Sequence, residues 1–361
     1  MYNEDTTTDA LKKSWTVIGL MSGTSLDGLD IARAKFELTS QSDWVGELIN
    51  FKCYDYPDEL RGRLRSSMEL GSLDLKYLER DWSRFAAEKV LELKEDSDLL
   101  CSHGHTVFHK PEDGITLQIG SGSILASLTG LPTVCDLRSQ DVSLGGTGAP
   151  LIPVVDRMLF SEYSACVNLG GFSNISLSND DSTIAWDIGP CNNLLNLLAR
   201  EVGLDFDKDG KMAQEGLISD GLLDDLLKLE YHNLKPPKSL GMEWFYNEML
   251  PVLIAHKGLS LENMMCTSVD YIATTIVADL PVGSTLFSGG GARNKYLIRR
   301  ILKMVDGTDR KIIISEAPML DAKEAYGFAF LGLLRWLLMD NVLNSVTGAS
   351  RSTSSGAIYL P

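Results

Sequence analysis

The sequence has no uninterrupted apolar run of the roughly 18 residues that a membrane-spanning helix needs, so no span is expected. Its opening, "MYNEDTTTDALKKSW", has no apolar segment either, and reads as a frayed tail without a secretory signal. Cations are scarce: 33 Lys and Arg stand against 49 Asp and Glu, a formal charge of −16. Nucleic acid wants clustered Lys and Arg, so it is set aside as a partner. No C-x-x-C occurs among the six cysteines, Cys53, Cys101, Cys135, Cys166, Cys191 and Cys266. Several fall in apolar strand-like runs and read as reduced thiols of a cytoplasmic protein. G-x-x-x-x-G-K-S/T is absent, which excludes a Walker-type loop. "GSGSIL" and "GGTGAP" both miss the last glycine of G-x-G-x-x-G, which weakens a dinucleotide fold.

What is present suits two α/β domains. The chain has 361 residues and 44% hydrophobic content, enough for two cores. "TVIGLM" and "DIARAKFEL" flank a polar turn and read as a hairpin, with "WVGELINFKCYDY" as a third strand. Helical periods follow in "DELRGRLRSSMEL" and "LDLKYLERDWSRFAAEKVLELKED", then short strands in "DLLCSHGHTVFH", "TLQIGS" and "LPTVCDLR". The pattern then restarts with "ACVNLGGFSNISLSNDD" and "TIAWDIGP", followed by four helical segments. It closes on "STLFSGGGARN", a helix, "KIIISEAP" and the apolar helix "KEAYGFAFLGLLRWLLMD". The expected domains are 15–155 and 156–361, divided near the helix after Pro150 or Pro153.

The two halves echo each other. About 150 residues apart, "GLMSGTSLDGLDI" and "VNLGGFSNISL" each open a half with a hairpin on a small-residue turn. Small residues let backbone N–H groups approach an anion, and Ser and Thr add donors. Two such turns suit one polyphosphate, and Asp27 or Asp30 suits Mg²⁺, directly or through water. A third cluster, "SGGGARN", leaves room for a flat ligand such as adenosine. One such turn alone is an ordinary hairpin. Three at strand ends, two opening echoing halves, favour a nucleotide site.

"GLMSGTSLDGLDIA", "SHGHTVFH", "TLQIG", "GGTGAPLIP", "NLGGFSNISL", "WDIGPCN", "SGGGARN" and "VTGASR…GAIYLP" together resemble the anhydro-N-acetylmuramic acid kinase family, over about Ile18 to Pro361. That family sits in the actin-like ATPase superfamily. The resemblance implies two duplicated RNase-H-like domains around a central ATP cleft, with ATP and Mg²⁺ as cofactors, a small-molecule sugar as substrate and a homodimer. The implied reaction opens the 1,6-anhydro bridge with water and phosphorylates O6. Two rivals stand beside it: another sugar kinase of the superfamily, and a non-enzymatic actin-like switch.

By resemblance, Gly23, Thr24, Ser25, Leu26, Asp27, Gly28, Leu29 and Asp30 carry the ATP phosphates, with Asp27 toward the metal. Gly170, Gly171, Ser173 and Asn174 form the second phosphate turn, and Gly289, Gly290 and Gly291 face adenosine. Asn168 stands where many relatives in the superfamily have Asp, which weakens metal binding from that strand. Asp187 of "WDIGPCN" matches the family's catalytic base, although Cys191 replaces the usual Gly. Its plainer role is a cap on the helix near Asn192. His103, Arg138, Asp141 and Glu324 are assigned to the sugar. Glu324 also suits the helix dipole as a first-turn acid. Asp187 and Glu324 favour an enzyme over a switch, which needs no base. H-x-H-x-x-x-H at His103, His105 and His109 allows a metal, but the family has Gln at position 105. "DFDKDG" lacks the twelfth-position Glu of a calcium loop and reads as an ordered acidic turn.

Overall fold

The computed structural model describes residues 13–41, 43–178 and 182–361, so the tail expected over residues 1–12 lies outside the described residues. The chain forms two compact units, Met1–Leu159 with Ala322–Pro361, and Phe160–Asp321.

In the first unit, β1 (Ser14–Ser22), β2 (Leu29–Leu38) and β3 (Trp44–Tyr54) form an antiparallel meander. β4 (Leu99–Lys110) then pairs with β1 in parallel and folds back on β5 (Ile115–Ile119). β6 (Thr133–Cys135) lies parallel to β4 on its far side. Alternation decides the faces: Ile18, Leu20, Ile31 and Leu100 pack with Trp82, Ala86 and Leu125 of the helices Ser72–Leu93 and Gly122–Thr129. Each such side chain contributes about 1.5–3 kcal/mol through burial.

In the second unit, β7 (Ala165–Leu169), β8 (Phe172–Ser178) and β9 (Thr183–Pro190) repeat the meander. β10 (Gly283–Ser288) joins β7 in parallel and β11 (Arg310–Ile314) joins β10. The echo in the sequence is thus a shared order: three antiparallel strands, then parallel strands added beside the first. The helices Asn192–Arg200, Leu261–Asp279 and Lys295–Val305 supply Leu194, Ile272 and Leu297 to this core. Ser260 and Asn294 start the last two helices by accepting the amides of Asn263 and Leu297.

The expected second domain, 156–361, does not hold. The helix Pro153–Leu159 stays with the first unit, and the chain returns to that unit at Ala322. The reason is the apolar helix Ala317–Trp336, which needs a sheet face. It lies on β1 so closely that a Cβ on Gly19 would stand 1.9 Å from the Ala325 carbonyl oxygen. Phe330 packs 5.1 Å from Phe36 and 5.3 Å from Trp44, centroid to centroid. The chain then adds β12 (Ala357–Tyr359) antiparallel to β6. No helix among the described residues is long and apolar enough to cross a membrane.

"DFDKDG" is an ordered turn. Asp207 accepts the amides of Met212 and Ala213 at 3.0 Å each and so caps the next short helix.

Candidate active site

The β1–β2 turn leaves Thr24, Ser25 and Asp27 exposed while Gly28 and Leu29 are buried. The Leu26 amide donates to the Gly23 carbonyl at 3.2 Å, and Leu26 takes a φ of 61°. A branched-chain residue in the left-handed region costs on the order of 1–2 kcal/mol. The fold holds that strain at the very turn assigned to phosphate. Ser25, Leu26 and Asp27 line an open groove with Arg61 and Arg65 of the helix Asp58–Arg65. The sequence reading missed both arginines. Arg61 reaches Asp58 and Asp55 only at 3.7 and 4.0 Å, and its buried Nε has no hydrogen-bond partner. Two basic residues four apart on a helix, in so acidic a chain, were the available signal.

Behind the turn runs a buried chain of donors. The Trp82 indole donates to the Tyr56 hydroxyl at 3.2 Å, which donates to Ser22 Oγ at 2.7 Å. Ser22 Oγ lies 2.8 Å from His105 Nδ1 and donates to it when the ring is neutral. Burial holds that ring down to about 4, so it is the neutral acceptor. Each polar group in the chain is thereby satisfied at the end of β1, next to Gly23.

The four sugar candidates divide. His103 is buried, and its Nδ1–H donates to the Gly104 carbonyl at 3.0 Å. Its Nε2 accepts from Arg138 Nε and Nη2 at 3.0 and 2.9 Å. Burial and the neighbouring guanidinium hold the ring far below its ordinary range, so it stays neutral. His103 thus fixes Arg138 and offers no polar atom to a ligand. With His105 bound to Ser22 and His109 Nδ1 3.0 Å from Thr116 Oγ1, the three rings serve separate partners. No group of three or more metal-binding side chains occurs among the described residues.

Asp141 differs from expectation more sharply. It is fully buried, its Oδ2 accepts the Gly148 amide at 2.8 Å and its Oδ1 the Thr347 hydroxyl at 2.7 Å. Both carboxylate oxygens are used within the fold, so Asp141 braces a loop and does not face a sugar.

Arg138 and Glu324 keep capacity for a ligand. Arg138 donates three N–H groups to His103 and to the Gly148 carbonyl, the latter at 2.5 Å, and retains others of its five. Burial lowers it to about 10, so it remains a cation. Glu324 is exposed yet crowded by protein atoms. This desolvation raises its carboxyl, the Asp30 charge adds to the rise, and Arg138 and Lys323 oppose it.

In the second unit one polar row crosses four strands. Ser288 pairs with Asn168, Asn168 with Asn174, and Asn174 with Asp187. A register shift between Ser173 and Asn174 sets the last pair. The Gly170–Gly171 turn joins the two middle strands of this row, and its carbonyls accept the amides of Cys191, Asn192 and Asn193. Ser173 is buried, its hydroxyl spent on the Gly189 carbonyl at 3.0 Å. Gly289 is left-handed at φ 83°, and a Cβ there would meet Asn168 Oδ1 at 2.4 Å. Gly291 lies against Leu169, whose carbonyl accepts from Asn192 Nδ2 at 3.1 Å. The glycine cluster and the second turn are therefore one surface, and a Cβ on Gly290 would meet only Asn192 Nδ2, at 4.0 Å.

Asp187 is not a helix cap. The residue preceding the helix Asn192–Arg200 is Cys191, and no side chain caps it. Cys191 has φ −128° and ψ −98°, outside the common α and β regions, and its side chain is buried in the core. Asp187 Oδ2 accepts the Leu240 amide at 2.8 Å, while Oδ1 accepts no hydrogen bond among the described residues. Burial raises the carboxyl, and the Leu240 amide partly restrains the rise.

Small-residue turns at two hairpins, with a raised and half-bound carboxylate beside one, fit a phosphotransferase. A family profile described as anhydro-N-acetylmuramic acid kinase matches residues 15–361. The chain is 35% identical to the anhydro-N-acetylmuramic acid kinase of Vibrio cholerae, covering 95% of this chain and 98% of that protein. It is 33% identical to the enzyme of that name from Hydrogenovibrio crunogenus, at 95% and 98% coverage. Among solved structures, component A of the (R)-2-hydroxyglutaryl-CoA dehydratase of Acidaminococcus fermentans aligns at TM-score 0.43 and 11% identity, over 88% of this chain and 97% of that one. The protein is a sugar kinase. It belongs to the anhydro-N-acetylmuramic acid kinase family.

Proposed function

We propose that the chain hydrolyses the 1,6-anhydro bridge of anhydro-N-acetylmuramic acid and phosphorylates O6 in one coupled reaction, with Asp187 as general base. The observation that carries this is Asp187 itself. One carboxylate oxygen is fixed by an amide, the other accepts no hydrogen bond among the described residues, and the group is more basic than an ordinary Asp. A base needs this combination of fixed position and open lone pair.

In the proposed step, Asp187 takes one proton from a water whose oxygen bonds to C1 of the sugar. The C1–O6 bond breaks, and its electron pair on O6 attacks the γ-phosphorus of ATP. The bond from that phosphorus to the bridging oxygen breaks and ADP leaves. The products are N-acetylmuramic acid 6-phosphate, ADP and a proton held on Asp187. Positioning and charge neutralisation supply the rest of the barrier reduction.

ATP is taken by Gly23 to Asp30 and by Gly170, Gly171 and Asn174, with adenosine against Gly289 to Gly291. Arg61 and Arg65 offer charge to the transferred phosphoryl group. Arg138 and Glu324 hold sugar hydroxyls. The residues fit a nucleotide-bound Mg²⁺, which keeps waters and phosphate oxygens and asks for only one or two carboxylates. Asp27 is exposed in the phosphate turn, whereas Asn168 presents an amide. When bound, the metal would neutralise phosphate charge. The shared strand order of the two sheets supports duplicated RNase-H-like domains of the actin-like ATPase type. A coupled ADP-release assay tests the proposal: turnover is expected with the anhydro sugar and absent with N-acetylmuramic acid or N-acetylglucosamine. Turnover with one of the latter would instead support a different sugar kinase.

A further inference from the structure

Residues 231–240 wrap Asp187 in a way that neither the phosphate turns nor the core requires. The Asp187 amide donates to the Lys238 carbonyl at 3.0 Å. The Leu240 amide returns to Asp187 Oδ2 at 2.8 Å. The Tyr231 hydroxyl donates to the Asp187 carbonyl at 2.6 Å. One residue is thus held at its amide, its carbonyl and its carboxylate by a single segment.

The segment is itself pinned. Lys238 Nζ lies 4.5 Å above the Tyr231 ring and donates to the Tyr231 carbonyl at 3.2 Å. The Trp244 ring lies 5.5 Å from Tyr231. His232 Nε2 is 2.8 Å from the Tyr271 hydroxyl of the helix Leu261–Asp279. Tyr231 is buried although it sits between short connections, so its hydroxyl has an alternative to water only in Asp187.

We propose that Tyr231 and the backbone amide of Leu240 are positioning groups for the base: they fix where Asp187 points and hold its basicity within a working range. The inference rests on Asp187 being that base. The hydroxyl holds the stretch of β9 from which the side chain springs. The amide leaves only Oδ1 to meet water and stabilises the charged carboxylate. The charged and titratable groups around the clamp are few. They are Tyr231, His232, the exposed Lys235 and Lys238 on the segment, and Tyr271 and Asp279 on the facing helix, where Asp279 is bound to the Trp186 indole at 2.7 Å. Of the two lysines only Lys238 touches Tyr231, and burial lowers it.

The test uses the full chain with ATP and the anhydro sugar. Tyr231→Phe removes one hydroxyl and is expected to lower kcat about 10-fold or more while the KM for sugar stays near wild type. Leu240→Pro removes the amide hydrogen. It is expected to move the acid limb of kcat/KM up by about half a pH unit or more, because a carboxylate that loses a donor becomes more basic. Leu240→Ala keeps the amide and should keep the acid limb in place, which a merely structural role for the side chain would not predict. Asp187→Asn separates the two claims. If that variant turns over normally, the base assignment fails. If it is slowed by about 10² to 10⁴-fold, adding Tyr231→Phe should slow the residual rate little further. Wild-type kcat in Tyr231→Phe, beside a strongly slowed Asp187→Asn, overturns the clamp and leaves the base. Should Leu240→Pro not fold, Tyr231→Phe alone decides.

Discussion

Thr347 donates its hydroxyl to Asp141 Oδ1 at 2.7 Å, across 206 residues of sequence. The bond ties the glycine-rich loop after the helix Ser139–Ser143 to the end of the chain that returns from the second unit. Asp141→Asn should therefore cost stability, about 1–3 kcal/mol, since one donor loses its partner in a buried site. Urea unfolding together with the sugar KM checks this. A raised KM at unchanged stability would return Asp141 to the sugar.

His105 links acid sensitivity to the end of β1, where its ring meets Ser22. Its folded value is about 4 against an ordinary 6.5. Between these values the unfolded chain binds a proton that the folded chain refuses. Stability from the neutral ring is complete above the unfolded value and is lost as pH falls toward the folded one. The loss amounts to roughly 2 kcal/mol between about pH 7 and about pH 5. His105→Gln keeps an acceptor for Ser22 but does not titrate, so its urea midpoint should fall less over that interval. Equal falls in both proteins would remove the role.

Arg61 tests the groove beside the first turn. Arg61→Ala should lower kcat/KM for ATP roughly 10- to 100-fold, the range expected for one charge-assisted hydrogen bond. The melting temperature should change little, because its ion pairs with Asp55 and Asp58 are long and the acids are exposed. Unaltered ATP kinetics would place the phosphoryl group away from this helix.

Asp27→Asn removes a carboxylate that the fold does not use, since the residue is exposed in the turn. Folding should be unchanged. Turnover should fall and should need more Mg²⁺ to reach half its maximum. A wild-type Mg²⁺ titration curve would take Asp27 out of the metal's surroundings.

Local signals in the sequence served well where a residue's role depends on its neighbours in the chain. Both hairpins, the small-residue turns and the acidic turn at Asp207 are local patterns, and the structure has them. What local pattern does not carry is long-range pairing. The helix "KEAYGFAFLGLLRWLLMD" shows an apolar surface in any context, but only Gly19 and Phe36, some three hundred residues earlier, show which sheet it covers. His103 and Asp141 were read as ligand groups because polar residues near glycine turns so often are. Their partners, Arg138 and Thr347, lie 35 and 206 residues away and satisfy them internally. Arg61 and Tyr231 were passed over for the converse reason. Each stands in an unremarkable helical or connecting stretch, and becomes meaningful only beside Asp27 or Asp187.

The central claim is that Asp187 removes the proton from the attacking water. The most direct measurement is the single-turnover rate of Asp187→Asn with saturating ATP and anhydro sugar, alongside the dissociation constants of both ligands. The account predicts a rate lower by about 10² to 10⁴-fold with both dissociation constants nearly unchanged. A wild-type rate, or a loss seen only in sugar binding, would contradict it.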